Sequence, residues 1–120
     1  QDVKLVLIKS PSLYPVWWWE WDQQIEAYAK EKGLLYINML EYQQEIGIDW
    51  NTDTYDAGLH LNVYGAEKLT RYFGQILVES HKAPDRRLQS EMADVWNGRV
   101  DTYYERKAQM SSVSQKTFYP

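Results

Sequence analysis

Asp53, Asp56, His60 and Asn62 lie within the run Asp53-Thr-Tyr-Asp-Ala-Gly-Leu-His-Leu-Asn62, just ahead of a segment with the marks of a helix start. An imidazole beside a carboxylate is what a hydrolase uses as its general base and the group that orients it. His60 is the candidate base and Asp56 the candidate orienter, with Asp53 in reserve. An ordinary structural role also fits: His60 could tie the loop down by hydrogen bonds, Asn62 could serve only as a helix cap, and the aspartates could form Asx turns. The run contains no nucleophile. Ser10 and Ser12 flank Pro11 outside any Gly-x-Ser-x-Gly or Gly-Asp-Ser context, and we read them as turn formers. His81 reads as a solvated residue at a helix end, and two histidines without paired-ligand spacing or cysteine give a metal site little support.

Four indoles, Trp17, Trp18, Trp19 and Trp21, crowd the start of a second helical segment. One narrow helix stripe cannot bury them all. Trp18 and Trp21 are expected in the core. Trp17 and Trp19 fall off that stripe, and either line a substrate cleft for a sugar ring or acyl chain or contact another part of the protein.

Stepping along the chain, Val3 to Ile8 is a short aliphatic run of the type buried in a parallel sheet, expected as a strand. Ser10 to Pro15 is broken twice by proline, a helix follows from Val16 to its stop at Gly33, and Leu34 to Leu40 is a second strand. Strand, helix, strand makes a βαβ unit with parallel neighbours. A short helix over Glu41 to Ile46 leads into the polar loop Gly47 to Gly58, on the side of the sheet where open α/β folds place ligands. The next helix should run from Val63 to Ser80, with Ala66, Leu69, Tyr72, Phe73, Ile76 and Leu77 buried and Pro84 ending it. Leu88, Met92, Val95, Trp96, Arg99, Val100 and Tyr103 recur at helical spacing, so a last amphipathic helix precedes a tail expected to fray from Ser111. Residues 1–82 form the α/β part of this reading and 83–120 a helical extension.

These segments carry a resemblance. Asp56-x-Gly-x-His-Leu-Asn-x-x-Gly-Ala-x-Lys-x-Thr70 resembles the last conserved block of the SGNH/GDSL hydrolases, especially a bacterial, cell-envelope-associated branch of lipase/acylhydrolase-like proteins. Lys9 to Trp18 resembles the turn after that fold's fourth strand, and Ala83-Pro-Asp-Arg-Arg87 with Trp96 and Tyr103-Tyr104 resembles the branch's C-terminal extension. The similarity runs from Val3 to Tyr104 and covers the second half of the family's fold. It implies an α/β class, a three-layer α/β/α sandwich of the flavodoxin-like type. The serine block and the Gly and Asn blocks of the oxyanion hole are expected before Gln1. The resemblance further implies a serine esterase that takes His60 and Asp56 from this chain, needs no cofactor and acts on O-acyl esters of carbohydrate or lipid, with Trp17, Trp19 and Asn62 near the substrate. On that view the chain is inactive alone and extracytoplasmic. In the family the aspartate stands three residues before the histidine, where this chain has Ala57, and Gly58 is expected to absorb the extra residue. Two other functions remain open: a non-catalytic carbohydrate-binding or protein-interaction module using Trp17 and Trp19, and a cell-wall O-acyltransferase sharing the triad.

Composition bounds the partners. The 120 residues suffice for one small domain, and a net charge of −4 without a basic run argues against nucleic acid. With no cysteine there is no disulfide and no thiolate metal site. No apolar run reaches a membrane-spanning length, so the chain as given is expected to be soluble. A two-stranded sheet is marginal by itself and has unpaired edges. The expected remedy is an N-terminal half of the same protein, or self-association through the Val3 to Ile8 edge.

Overall fold

A computed structural model describes residues 3–13, 17–86 and 89–113. The chain is a mixed α/β structure in the order β1 (Val6–Lys9), α1 (Trp19–Lys32), β2 (Leu35–Asn38), α2 (Gln43–Ile46), α3 (Val63–Glu79) and α4 (Ser90–Val113). It divides into two compact units, Gln1–Gln75 and Ile76–Pro120.

In the first unit β1 and β2 pair in parallel, Val6 opposite Leu35 and Lys9 opposite Asn38. This is the βαβ unit expected from the alternation of patterns, with shorter strands. Val3 and Leu5 stay outside β1 and are exposed. Each strand has one neighbour among the described residues, so each leaves one hydrogen-bonding edge without a described partner strand.

Helix α1 has Glu20 and Asp22 in its first turn and Lys30 and Lys32 in its last, which matches the helix dipole at both ends. Gly33 closes it in the left-handed conformation at φ 63°, its N–H directed at the carbonyls of Ala29 and Lys30. The helix begins at Trp19 rather than Val16; Val16 itself lies outside the described residues. This shift changes which indoles lie inward. Trp18 and Trp21, expected in the core, are 53% and 42% exposed. The inward face instead carries the buried Ala29, the half-buried Ile25, and Asp22, whose carboxylate accepts a hydrogen bond from the Tyr36 hydroxyl of β2. Burial, with that bond and nearby carboxylates adding to it, pushes the Tyr36 hydroxyl pKa up.

Met39, at the end of β2, is wholly buried, with Ala29, Ile46 and Pro11 the other buried apolar residues among those described. That is a small core. Helix α3 shows Leu69, Tyr72 and Phe73 half-buried, whereas Ala66, expected on the same stripe, is exposed.

The second unit holds the end of α3, a turn and α4. Lys82 takes a left-handed φ of 53° and its ammonium donates to the Glu79 carbonyl at 3.0 Å, so the chain leaves α3 before Pro84 is reached. His81 is exposed in this turn. Helix α4 carries the expected run, but Met92, Val95, Trp96, Val100 and Tyr103 are all exposed; Leu88 lies outside the described residues. The helix continues to Val113, past the expected fraying point at Ser111. Among the described residues no helix is long and apolar enough to cross a membrane.

Candidate functional site

The loop between α2 and α3 is built around Asp53. Its side chain is nearly fully buried, and Oδ2 accepts from the Asp49 N–H at 2.7 Å and the Lys68 ammonium at 2.6 Å. Lys68 also donates to the Gly47 carbonyl at 2.9 Å, which ties α3 to the start of the loop as well as to Asp53. The Asp53 carbonyl accepts from the Asn62 N–H at 2.8 Å and lies so close to Gly65 that a Cβ there would collide with it. Asp53 is thus occupied as a structural anchor.

Asn62 caps α3. Its Oδ1 accepts from the N–H groups of Tyr64 and Gly65 at 2.9 and 3.2 Å, while Nδ2 donates to the Thr52 and Thr54 carbonyls at 2.7 and 3.2 Å. Both polar atoms of its amide are engaged within the loop.

Between these anchors the chain makes a miniature hairpin. Thr54 and Leu61 form an antiparallel bridge, and the Tyr55 N–H donates to the His60 carbonyl at 3.3 Å. The turn is tightened by left-handed Ala57 and Gly58, at φ 56° and 95°. Those two residues fold the Asp56 carboxylate back over His60. Oδ1 accepts from the His60 N–H at 2.6 Å, and Oδ2 accepts from the His60 ring at Nδ1. A carboxylate can only accept, so Nδ1 bears a proton, and in the neutral form of the ring the lone pair is left on Nε2. Burial pushes the Asp56 carboxyl up, but the hydrogen bonds and charge of His60, with the Leu59 N–H, outweigh it and hold the pKa below the usual carboxylate range. The Asp49 carboxyl is also held low, first by the Asn51 N–H that donates to it at 2.9 Å.

His60 is two-thirds exposed at its side chain, on the wall of a cleft of about 490 Å³. One wall is the end of β1 and its continuation, from Ile8 through Lys9, Ser10 and Pro11 to Ser12; the other is Tyr55, Leu59, His60 and Leu61, with Ala66, Leu69 and Thr70 of α3. The walls are pinned where the Leu13 N–H donates to the Gly58 carbonyl at 2.7 Å. The lining is largely aliphatic. Its one ammonium, Lys9, donates to the Ser10 carbonyl at 2.6 Å and lies 4.9 Å from the Trp17 ring centroid. Burial lowers the Lys9 pKa, against a smaller opposing effect of Asp22.

Of the residues singled out from sequence, His60 and Asp56 are brought together, and of the two His60 lines the cleft. Trp17, Trp19 and Asn62 do not line the cleft. Trp17 is half-buried edge-on to Trp21, with ring centroids 5.6 Å apart and its Nε1 buried without a hydrogen-bond partner, while Trp19 is 62% exposed on α1. Sequence reasoning passed over Tyr55 and Lys9 and treated Ser10 and Ser12 only as turn residues. The signal for Lys9 to Ser12 was their position at the C-terminal end of a parallel strand. For Tyr55 it was the placement of Tyr55 and His60 directly on either side of the four residues Asp56 to Leu59.

Compared with known proteins, the chain matches no family model, no curated protein and no solved structure.

Proposed function

We propose that this chain supplies the histidine and aspartate of a Ser-His-Asp ester hydrolase, with the serine and the oxyanion donors contributed by a further segment of the same protein. The observation that carries this reading is the Asp56 carboxylate engaging both Nδ1 and the backbone N–H of His60, on the wall of a largely aliphatic cleft. The division of labour would be that of a triad: Asp56 holds the tautomer, Nε2 takes the serine proton, and the imidazolium returns it to the leaving alcohol. The resemblance to SGNH/GDSL hydrolases supports the same assignment. It also suggests O-acyl esters of carbohydrate or lipid as substrates, transfer to a cell-wall acceptor as a variant of the reaction, and an extracytoplasmic setting. In that protein the β1–β2 pair would be the edge of a three-layer α/β/α sandwich, consistent with the small core and exposed front of the chain.

The test is hydrolysis of p-nitrophenyl acetate by the longer protein, by this chain, and by His60→Ala and Asp56→Asn forms of the longer protein. Activity confined to the longer wild-type protein, lost in His60→Ala, is the expected result. An active His60→Ala protein would remove the histidine from the mechanism.

A second reading rests on the exposed indoles. Trp18 and Trp19 are exposed at the start of α1, and exposed indoles are suited to a sugar ring or a protein partner. Saturable fluorescence quenching by a glycan, abolished in Trp19→Ala and unaccompanied by esterase activity, would favour a binding module.

A further inference from the structure

We infer that Tyr55 is a positioning residue that fixes the plane of the His60 imidazole; its consequence for catalysis rests on the hydrolase reading above. The two rings lie nearly parallel, 11° apart, with centroids separated by 5.7 Å, within the range of offset stacking. The stack follows from the backbone. The Thr54–Leu61 bridge and the Tyr55 N–H to His60 carbonyl bond make the two residues cross-strand neighbours at the neck of the turn.

A ring so exposed needs this contact. Asp56 holds the imidazole by one edge, at Nδ1, which sets the tautomer but leaves the ring free to tilt about that bond. No close-packed interior surrounds a side chain that is 67% exposed. The face of Tyr55 removes the tilt, so two contacts of different kinds fix the direction of the Nε2 lone pair. A general base depends on that direction, because misplacement of about 1 Å can cost roughly a hundredfold in rate. The tyrosine π face also lies against the charge that appears when Nε2 takes a proton. The contact is made by the ring and not by the phenol hydroxyl, so phenylalanine should substitute for Tyr55.

The experiment is proton NMR of the full chain as wild type, Tyr55→Phe and Tyr55→Leu, with circular dichroism to verify the fold. Ring current from a stacked tyrosine should shift the His60 Hε1 and Hδ2 resonances upfield in the wild type and in Tyr55→Phe, and Tyr55→Leu should return them downfield. Unchanged His60 resonances in a folded Tyr55→Leu chain would overturn the inference. In the longer protein, Tyr55→Leu should lower kcat for p-nitrophenyl acetate by about tenfold or more with little change in KM, and Tyr55→Phe should restore it. An unchanged kcat with a lost ring shift would overturn the positioning role. A longer protein inactive even as wild type would defeat the hydrolase reading, while the resonances would still decide whether Tyr55 clamps the ring.

Discussion

His60 and Asp56 are four positions apart in the chain, so their pairing is a local event that depends on the turn between them. Ala57 bears the cost. A left-handed alanine is unfavourable by about 1–2 kcal/mol relative to its ordinary conformations, and glycine relieves most of that. Ala57→Gly is therefore expected to stabilise the chain by about 0.5–1 kcal/mol in urea unfolding, without disturbing the Asp56–His60 contact. Acid should act on the same pair. Because the folded Asp56 pKa lies below its unfolded value, its stabilising contribution is fully present above the unfolded carboxylate range and is lost as pH falls through the lower folded value. The His60 amide resonance, followed by NMR below pH 5, should report this loss, with Asp56→Asn abolishing the transition. In the longer protein Asp56→Asn should lower kcat by about 10³-fold or more, since an amide no longer enforces the tautomer.

At the scale of elements, the site depends on three segments meeting: the continuation of β1, the loop, and the start of α3. The loop meets both α3 and the continuation of β1 through close contacts that a substitution can open. At Gly65 an added Cβ would collide with the backbone oxygen of Asp53, an atom that cannot rotate away. Gly65→Ala should destabilise the chain by about 2–3 kcal/mol and loosen the loop. Gly58→Ala would crowd the Leu13 side chain at 2.7 Å and force a left-handed alanine at φ 95°, for a cost of about 1–2 kcal/mol. Asp53→Ala strips the Asp49 N–H and Lys68 of their shared acceptor; since Lys68 is partly exposed and can be hydrated, we expect about 2 kcal/mol rather than more. Urea unfolding of the three variants would check this, with Gly65→Ala expected to be the most damaging. The order of the first three elements and the stop at Gly33 were legible in the sequence because each is set by a local pattern. The start of α1 was not, since four tryptophans in five residues fit a helical stripe in more than one phase, and only their packing selects one.

Taken as a whole, the chain exposes more apolar surface than its small core would suggest. Trp18, Trp19 and Trp21 in the first unit and Met92, Val95, Trp96 and Val100 in the second are all exposed, and surfaces of this kind mark interfaces. The isolated chain is accordingly expected to sediment as an oligomer, or to bind the dye ANS as a loosely packed monomer. A compact monomer that excludes the dye at low concentration would contradict that expectation and weaken the case for a further segment that covers it. Sequence by itself determined the βαβ order, the helical tail and the short run holding His60 and its two candidate acids, because periodicity, capping and separation along the chain are local properties. Tertiary structure decided that Asp53 is buried against Lys68 while Asp56 meets the imidazole, that Ser10 and Ser12 share a cleft with His60, and which indoles lie outward. Those outcomes depend on how closely remote segments approach one another, a distance that no local pattern encodes.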